Sequence, residues 1–405
     1  MGVLTDELLR SFDDAVLPVG EAKLLPPDCY TSPEFYEFER QAIFDRDWIC
    51  VGREDQVANS GDFITITLFG EPLLVARDKA GQVNVMSAVC RHRGAVVTEE
   101  AAGNCSTFRC MYHHWTYGLD GALLGCPAME QTENFVKTDN GLVRLPVELW
   151  QGFIFTNFDP NPKSLVDGLV GATELLTNYD LEHAFHVKGP VIEDLPWNWK
   201  VMIENFNDGS HADRLHQHVG AYVPCTGNEW LDLDNEENDN HNSRINWHNW
   251  SDASFNPTLK NFMPVFSGLT EDERKRSMYM LMPPTLGLAV NTDMVVYFII
   301  APLGPGQITL HVGFLFDPTA PENALFEQLL ELAIAGVNNF NRMDILADTL
   351  VQRGLSSTRF APRGRYSYQE ESLVQFNRWL VRRYQRFWPS GESEEQPTAL
   401  RAVAT

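Results

Sequence analysis

The sequence has no G-x-G-x-x-G after a strand-like run, so it carries no sign of a nicotinamide or flavin domain of its own. It has no apolar stretch long enough to span a bilayer, and no membrane association is expected. Positive charge is scarce: 31 Lys and Arg stand against 55 Asp and Glu, a formal net charge of −24, with no basic patch to offset it. Such a surface repels phosphate backbones, which excludes nucleic acid as an expected partner. The 7 cysteines are odd in number and form no repeating framework, which fits a reducing compartment where thiols bind metal or lie buried. Met1 to Arg10 holds no basic leader, so no signal peptide is read there and a cytoplasmic location is expected. No internal repeat is visible. The low-complexity tracts are two acidic runs, Asp232 to Asp239 and Glu392 to Glu395, read as a solvated loop and a loose end.

What is present suits a folded enzyme-sized chain: 405 residues, 44% hydrophobic and 11% aromatic. At a soft prior of about 150 residues per domain, two domains are expected. Residues 5–16 have amphipathic spacing through Leu8, Leu9, Phe12 and Val16. A second helix begins at Pro33, capped by Thr31 or Ser32, with Glu34 completing a capping box with Thr31. From Trp48 the period changes to two, and Asp78-Lys79-Ala80-Gly81 between two apolar runs is a hairpin signature. Residues 48–158 therefore read as a small antiparallel β domain. Asp159-Pro160-Asn161-Pro162 breaks the chain. Beyond it, strand-like runs at 184–193, 278–282, 286–290, 294–301 and 308–316 predict a second antiparallel sheet, followed by helices at roughly 322–352 and 370–387.

Two clusters of metal-binding side chains stand out. Cys90-Arg91-His92 is followed, after 17 intervening residues, by Cys110-Met111-Tyr112-His113. Four Cys would suit an ordinary ferredoxin cluster or a zinc ribbon, whereas two Cys and two His describe a Rieske [2Fe-2S] centre, in which His replaces Cys on one iron and raises the potential. Zinc is the rival, but a C2H2 zinc site usually pairs its two Cys on one knuckle and its two His on another, while each loop here supplies one of each. His114 is an alternative ligand to His113. Arg91 and Arg93 are either a docking point for an acidic electron donor or ordinary solvated side chains.

The second cluster is Asp208-x2-His211-x4-His216, after an apolar, helical run. Positions five apart do not share a helix face, so His211 and His216 converge only if the helix ends or bulges between them, which Gly209 permits. Two His and a carboxylate form the facial triad of non-haem Fe(II) oxygenases. Asp208, Asp213 or a remote acid on a C-terminal helix are the candidates for the carboxylate, and His218 competes with His216. A high-potential cluster needs an electron sink, and iron that must be reduced before it binds O2 is one.

On these residues the chain resembles the large (α) subunit of Rieske non-haem iron oxygenases, the aromatic-ring-hydroxylating oxygenase family. The matching pieces are Cys90-Arg91-His92-Arg93-Gly94, Cys110-Met111-Tyr112-His113-His114-Trp115, Asn198-Trp199-Lys200 through His216, and Asp344 with Val351-Gln352-Arg353-Gly354-Leu355. Met111 and His114 stand where the family usually has Pro and Gly. The resemblance implies an α+β fold: an antiparallel β Rieske domain plus a helix-grip catalytic domain, an antiparallel sheet over a long helix. It divides the chain into N-terminal helices packing on the catalytic domain (1–47), the Rieske domain (48–160), the catalytic domain (161–388) and a flexible acidic tail (389–405).

It further implies that Cys90, His92, Cys110 and His113 hold a [2Fe-2S] cluster and that His211, His216 and Asp344 hold a mononuclear Fe(II). Asp208 takes the bridging position toward a cluster His, by analogy His113, of a neighbouring subunit, and Asn205 lies near the iron. The implied activity is that of a terminal oxygenase, hydroxylating a small organic substrate with O2 and electrons from a separate ferredoxin or flavin reductase. The implied assembly is a homotrimer, with or without a small β subunit. The substrate pocket is expected from Met202, Asn205, Phe206, Ala212, the strands 278–300 and the stretch 225–265. An aromatic carboxylate or similar hydrophobe is the favoured substrate class. A quaternary amine is the alternative; Trp247 and Trp250 would cage a cation or stack on a ring unless they merely pack. A reading of another class is a non-enzymatic helix-grip ligand binder with a redox-sensing cluster.

Overall fold

The structure, a computed structural model, describes residues 2–216, 219–221, 223, 227–231, 241–256 and 260–389. His218, Cys225, the acidic run Asp232 to Asp239 and the acidic tail lie outside the described residues. Two compact units form: Phe44–Ser164, and the residues up to Ile43 together with Leu165–Pro389. No described helix is long and apolar enough to cross a membrane.

The Phe44–Ser164 unit is built on an antiparallel meander of Asp62–Leu68, Glu71–Arg77 and Val83–Ser87. The turn before Val83 is closed by Asp78, whose carboxylate accepts the N–H groups of Ala80 and Gln82, both at 2.9 Å, while Gly81 takes φ +84°. A three-stranded sheet of Phe108–Arg109, Thr116–Tyr117 and Leu123–Gly125 shares a core with the meander, in which Phe63, Met86, Phe108, Trp115 and Tyr117 are buried. Cys90 and Cys110 belong to the same core, so their sulfurs are fixed by apolar packing before any metal is considered.

In the second unit, seven antiparallel strands run β1 (Phe185–Leu195), β2 (Glu229–Leu231), β3 (Asn242–Trp247), β4 (Arg276–Met282), β5 (Leu286–Val290), β6 (Val295–Gly304) and β7 (Gln307–Phe316), in spatial order β1-β7-β6-β5-β4-β3-β2. Strand β5 is buried along its whole length. Among its helices are α1 (Pro33–Glu39), α2 (Trp199–Asn207), the 30-residue α3 (Phe326–Leu355) and α4 (Glu371–Phe387). Helix α2 lies on the sheet through Phe206, whose ring meets Tyr279 at 5.9 Å and Phe298 at 5.6 Å. Asn198 caps α2, receiving Lys200 N–H at 3.0 Å and donating to the Pro305 carbonyl at 2.8 Å. The chain thus comprises an antiparallel sheet carrying helices and, as a separate unit, a small β domain.

The N-terminal segment differs from expectation in detail. Residues 6–11 are α-helical, capped by Thr5, but 12–15 tighten into a 3-10 turn. Ser32, not Thr31, caps α1 by accepting Phe35 N–H at 3.2 Å, because Thr31 ends a preceding helical turn and donates its hydroxyl to the Pro27 carbonyl at 3.0 Å. No capping box with Thr31 forms: the Glu34 carboxylate accepts Val3 N–H at 2.8 Å instead.

Glu39, at the end of α1, is fully buried and holds three elements together. It accepts Lys200 Nζ at 2.7 Å and Trp199 Nε1 at 3.1 Å from α2, and the Tyr384 hydroxyl at 2.5 Å from α4. The Lys200 ammonium also lies 5.1 Å from the Tyr30 ring centroid. Removing one partner leaves an uncompensated buried charge, which costs about 3–5 kcal/mol. Glu39→Ala is therefore expected to destabilise this unit by about that amount, read as a lowered denaturant midpoint; an unchanged midpoint would contradict it.

Candidate metal centres and a cavity at the second of them

The two Cys/His loops of the small β unit have the same construction. In the first, Cys90 N–H donates to the Ala95 carbonyl at 2.8 Å and Gly94 N–H to the Cys90 carbonyl at 3.0 Å; in the second, Cys110 N–H donates to Trp115 at 2.9 Å and His114 N–H to Cys110 at 3.0 Å. Gly94 and His114 are the equivalent left-handed positions, with φ +75° and +58°. Glycine adopts that conformation freely, whereas a histidine there carries strain on the order of 1 kcal/mol. The loop turns the His114 side chain outward, where Nδ1 lies 2.8 Å from Arg109 Nη2. His113 instead meets the His92 ring edge-on at 4.5 Å, and His92 stacks on the buried Trp115 at 4.9 Å. His113 is thus the histidine placed beside His92. Arg91 and Arg93 are exposed, and the Arg93 guanidinium lies 5.0 Å from the Tyr112 ring.

These loops fit a two-iron cluster better than one zinc ion. Four donors at bond lengths of roughly 2.0–2.3 Å around a single ion all fall within about 4 Å of each other. Among the described residues, the group of three or more metal-type donors whose ligand atoms all lie within 4.8 Å is His211, His216 and Asp344; the Cys90, His92, Cys110, His113 quartet is spread more widely. A donor atom also waits there, since His92 Nδ1 is buried without a hydrogen-bond partner. Spacing alone did not single out Tyr117, whose hydroxyl lies 3.2 Å from Cys90 Sγ and accepts Arg91 N–H at 3.0 Å. Hydrogen bonds to cluster sulfurs tune the reduction potential.

In the larger unit, α2 stops at Asp208, which caps it. The Asp208 carboxylate then folds over the next turn, accepting Ser210 N–H at 2.6 Å and His211 N–H at 3.3 Å. A one-turn helix, Ala212–Leu215, separates His211 from His216. This break and restart supplies the irregularity that an x4 spacing needs. The acid comes from the middle of α3: Asp344 Oδ1 lies 3.0 Å from His216 Nε2 and 3.6 Å from His211 Nε2. Neighbouring donors about 2.1 Å from one ion stand about 3 Å apart, so two imidazole nitrogens and a carboxylate oxygen at these separations fit a facial triad. The local alternatives place differently. Asp213 is exposed, and the Asp208 oxygens are taken by the turn.

Around the triad, Asp208 Oδ2 lies 3.4 Å from His211 Nδ1. Burial alone would raise the Asp208 carboxyl, but hydrogen bonding and charge from His211, with the Ser210 bonds, outweigh it and hold it below the ordinary carboxylate value. Asn205 Nδ2 lies 3.4 Å from Asp344 Oδ1. One turn along α3, Asp348 is pushed up to about 8, first by burial and then by the charge of Asp344.

The triad opens on a cavity of about 760 Å³. Met202, Asn205, Phe206 and Ala212 all line it, as do Tyr279, Val296 and Phe298 from the strands. Trp247 and Trp250 do not: Trp247 is exposed and donates to Glu229 at 3.0 Å, and Trp250 packs on His248 at 4.7 Å. One wall went unrecognised in the sequence, the α3 face of Ala333, Gly336, Val337 and Phe340, which shares the helical side of Asp344 and is found by counting back eleven, eight, seven and four positions from it. Arg244 on β3 also lines the cavity, inside the expected stretch 225–265 but not singled out there.

With this geometry the comparisons with known proteins agree. Residues 177–386 match the family model of the ring-hydroxylating α subunit (catalytic domain), and residues 47–138 match the Rieske [2Fe-2S] domain. The chain belongs to the ring-hydroxylating α-subunit family, whose members carry a Rieske [2Fe-2S] cluster and a mononuclear non-haem iron. It is 31% identical over 202 residues to the anthranilate 1,2-dioxygenase large subunit of Acinetobacter baylyi, covering 48% of this chain and 43% of that protein. It is 33% identical over 216 residues to the carnitine monooxygenase oxygenase subunit of Acinetobacter baumannii, covering 51% and 57%. The chain thus spans about half the length of these curated relatives. A solved quaternary ammonium Rieske monooxygenase, described for carnitine oxidation and inter-subunit electron transfer, superposes with a TM-score of 0.76 at 25% identity, over 90% of this chain and 96% of that one.

Proposed function

We propose that this chain is the terminal oxygenase of a multicomponent system, in which a ferredoxin or flavin reductase supplies electrons and a small organic substrate is hydroxylated with O2. The observation that carries this reading is the convergence of His211, His216 and Asp344 at the edge of a largely apolar cavity, in a chain that also holds a Rieske domain. When bound, the cluster supplies single electrons and the mononuclear iron a site for O2 reduction. Cys90, His92, Cys110 and His113 would hold the cluster, and His211, His216 and Asp344 the iron. A three-ligand facial set leaves positions open on the cavity side. Asn205 positions Asp344 through its amide, and Asp208, whose Oδ2 lies 3.4 Å from His211 Nδ1, orients that ring through its charge. Phe206, Phe298 and Phe340 exclude water from the substrate. The assembly is an oligomer, a homotrimer on the family's pattern, in which electrons pass from a cluster to the iron of the next subunit.

A monooxygenase acting on a quaternary amine is the second reading, supported by likeness to the carnitine monooxygenase subunit. Incubation with NADH, O2 and a surrogate reductase against a substrate panel, with products identified by mass, tests the proposal. One added oxygen or two separates mono- from dioxygenation, and oxygen consumption without any oxygenated product would sink the oxygenase reading.

A further inference from the structure

The cavity contains one side chain that an oxygenase for hydrocarbons does not need. Arg244 is 3% exposed, sits on β3 and lines the cavity, yet among the described residues no carboxylate pairs with it. Its Nη1 reaches the Asn246 amide oxygen at only 3.5 Å, its Nε is buried without a hydrogen-bond partner, and its guanidinium lies 4.3 Å from the Tyr279 ring centroid. Acids outnumber bases 55 to 31 in this chain, so an arginine buried without an acid is not explained by a shortage of partners. Burying a guanidinium costs several kcal/mol unless hydrogen-bonded charge compensates it. Its planar fork matches a carboxylate in two parallel bonds.

The position is equally specific. The guanidinium packs against Gly209, two residues before His211, and a Cβ on Gly209 would collide with it. The chain has glycine there, and the space goes to the arginine. Phe206, Phe255, Phe298 and Phe340 supply an apolar part of the remaining wall, which also carries Ser254, Asn256, Asp293 and Asn341.

Resting on the oxygenase reading above, we propose that Arg244 is the substrate-anchoring residue and that the substrate is a small organic carboxylate, its carboxylate on the guanidinium and its hydrocarbon body against the phenylalanines beside the triad. A cation without a carboxylate is the wrong ligand, because Arg244 already covers the Tyr279 face that would attract it and would repel it there.

The test is calorimetric binding to the iron-loaded holoenzyme. Benzoate, 3-phenylpropanoate and hexanoate are each compared with the primary amide of the same skeleton, with benzyltrimethylammonium as the cationic probe. At least one carboxylate should bind about tenfold or more tightly than its amide, the return from charge-assisted hydrogen bonds. Arg244→Gln should erase that preference while leaving amide binding within about twofold, and Arg244→Lys, which keeps charge but loses the fork, should retain part of it. Cluster absorption and melting temperature verify folding, and if Arg244→Gln does not fold, a reduced preference in Arg244→Lys serves as the readout. A panel in which no carboxylate outbinds its amide, a preference that survives the substitution, or tightest binding by the ammonium overturns the proposal. Carboxylate selectivity without O2-dependent product would leave Arg244 standing and defeat the oxygenase reading instead.

Discussion

Asp344→Ala is expected to lower the iron content from about three to about two per chain and to reduce oxygenated product to background, with the visible spectrum of the cluster unchanged. The expectation follows from where the acid sits. Both imidazoles point at the same Asp344 oxygen, at 3.0 and 3.6 Å, so this carboxylate is the group that closes the site. Without it, two neutral nitrogens remain and the charge that neutralises a divalent ion is lost. The substitution should be mild for the fold. Asp344 lies mid-helix on the cavity side, and alanine is the better helix former. The exposed Asp213 is the internal control, and Asp213→Ala should change neither iron content nor turnover. Retained iron in Asp344→Ala, or lost iron in Asp213→Ala, would reassign the carboxylate ligand. Metal analysis with the cluster absorption decides it.

The sequence exposed these groups unevenly, and the reasons are physical. Runs with alternating or continuous apolar character were readable: the run at 286–290 is strand β5, the run at 294–301 is β6, which begins one residue later and ends at Gly304, and the run at 308–316 is β7, which begins one residue earlier. Strand β3 was not readable, because its buried side chains include Asn242, Ser243, Arg244 and Asn246, polar residues that break any apolar alternation. Asn242 donates to the Ser372 carbonyl at 2.9 Å. Buried polar residues leave no period-two signal, so Arg244 passed unnoticed. The choice between His113 and His114 was similarly invisible to spacing. The backbone bears on it, since His114 takes the left-handed position that Gly94 holds in the sister loop and its side chain is turned outward. The remote acid was open on the residues alone, since no local pattern links Asp344 to residues more than a hundred positions earlier; only the family resemblance pointed to it.

Asp208→Asn is expected to lower turnover roughly 100-fold while both metal groups remain bound, at the upper end of what loss of a partner to a metal-binding histidine costs. Asparagine preserves size and one carbonyl for the turn that Ser210 and His211 N–H groups now make on the carboxylate. It removes the negative charge lying 3.4 Å from His211 Nδ1. If Asp208 served only to cap α2, the variant would lose iron or stability and little else. If it serves the electron path, iron content and melting temperature hold while reoxidation of the reduced cluster by O2 and substrate slows by the same factor as turnover. The direction of the path can be read in mixed oligomers. A chain with Cys90→Ser lacks a cluster, and a chain with Asp344→Ala lacks the mononuclear iron, so each alone is inactive. Co-assembled, they should regain activity, because the intact cluster of one can serve the intact iron of the other only across a subunit boundary. On the proposed reading Asp208 belongs to the receiving side. Adding Asp208→Asn to the Cys90→Ser chain should abolish the regained activity, whereas adding it to the Asp344→Ala chain should leave it in place. Equal loss from both placements would make Asp208 a structural residue, and mixed oligomers with no activity at all would confine electron transfer to a single chain.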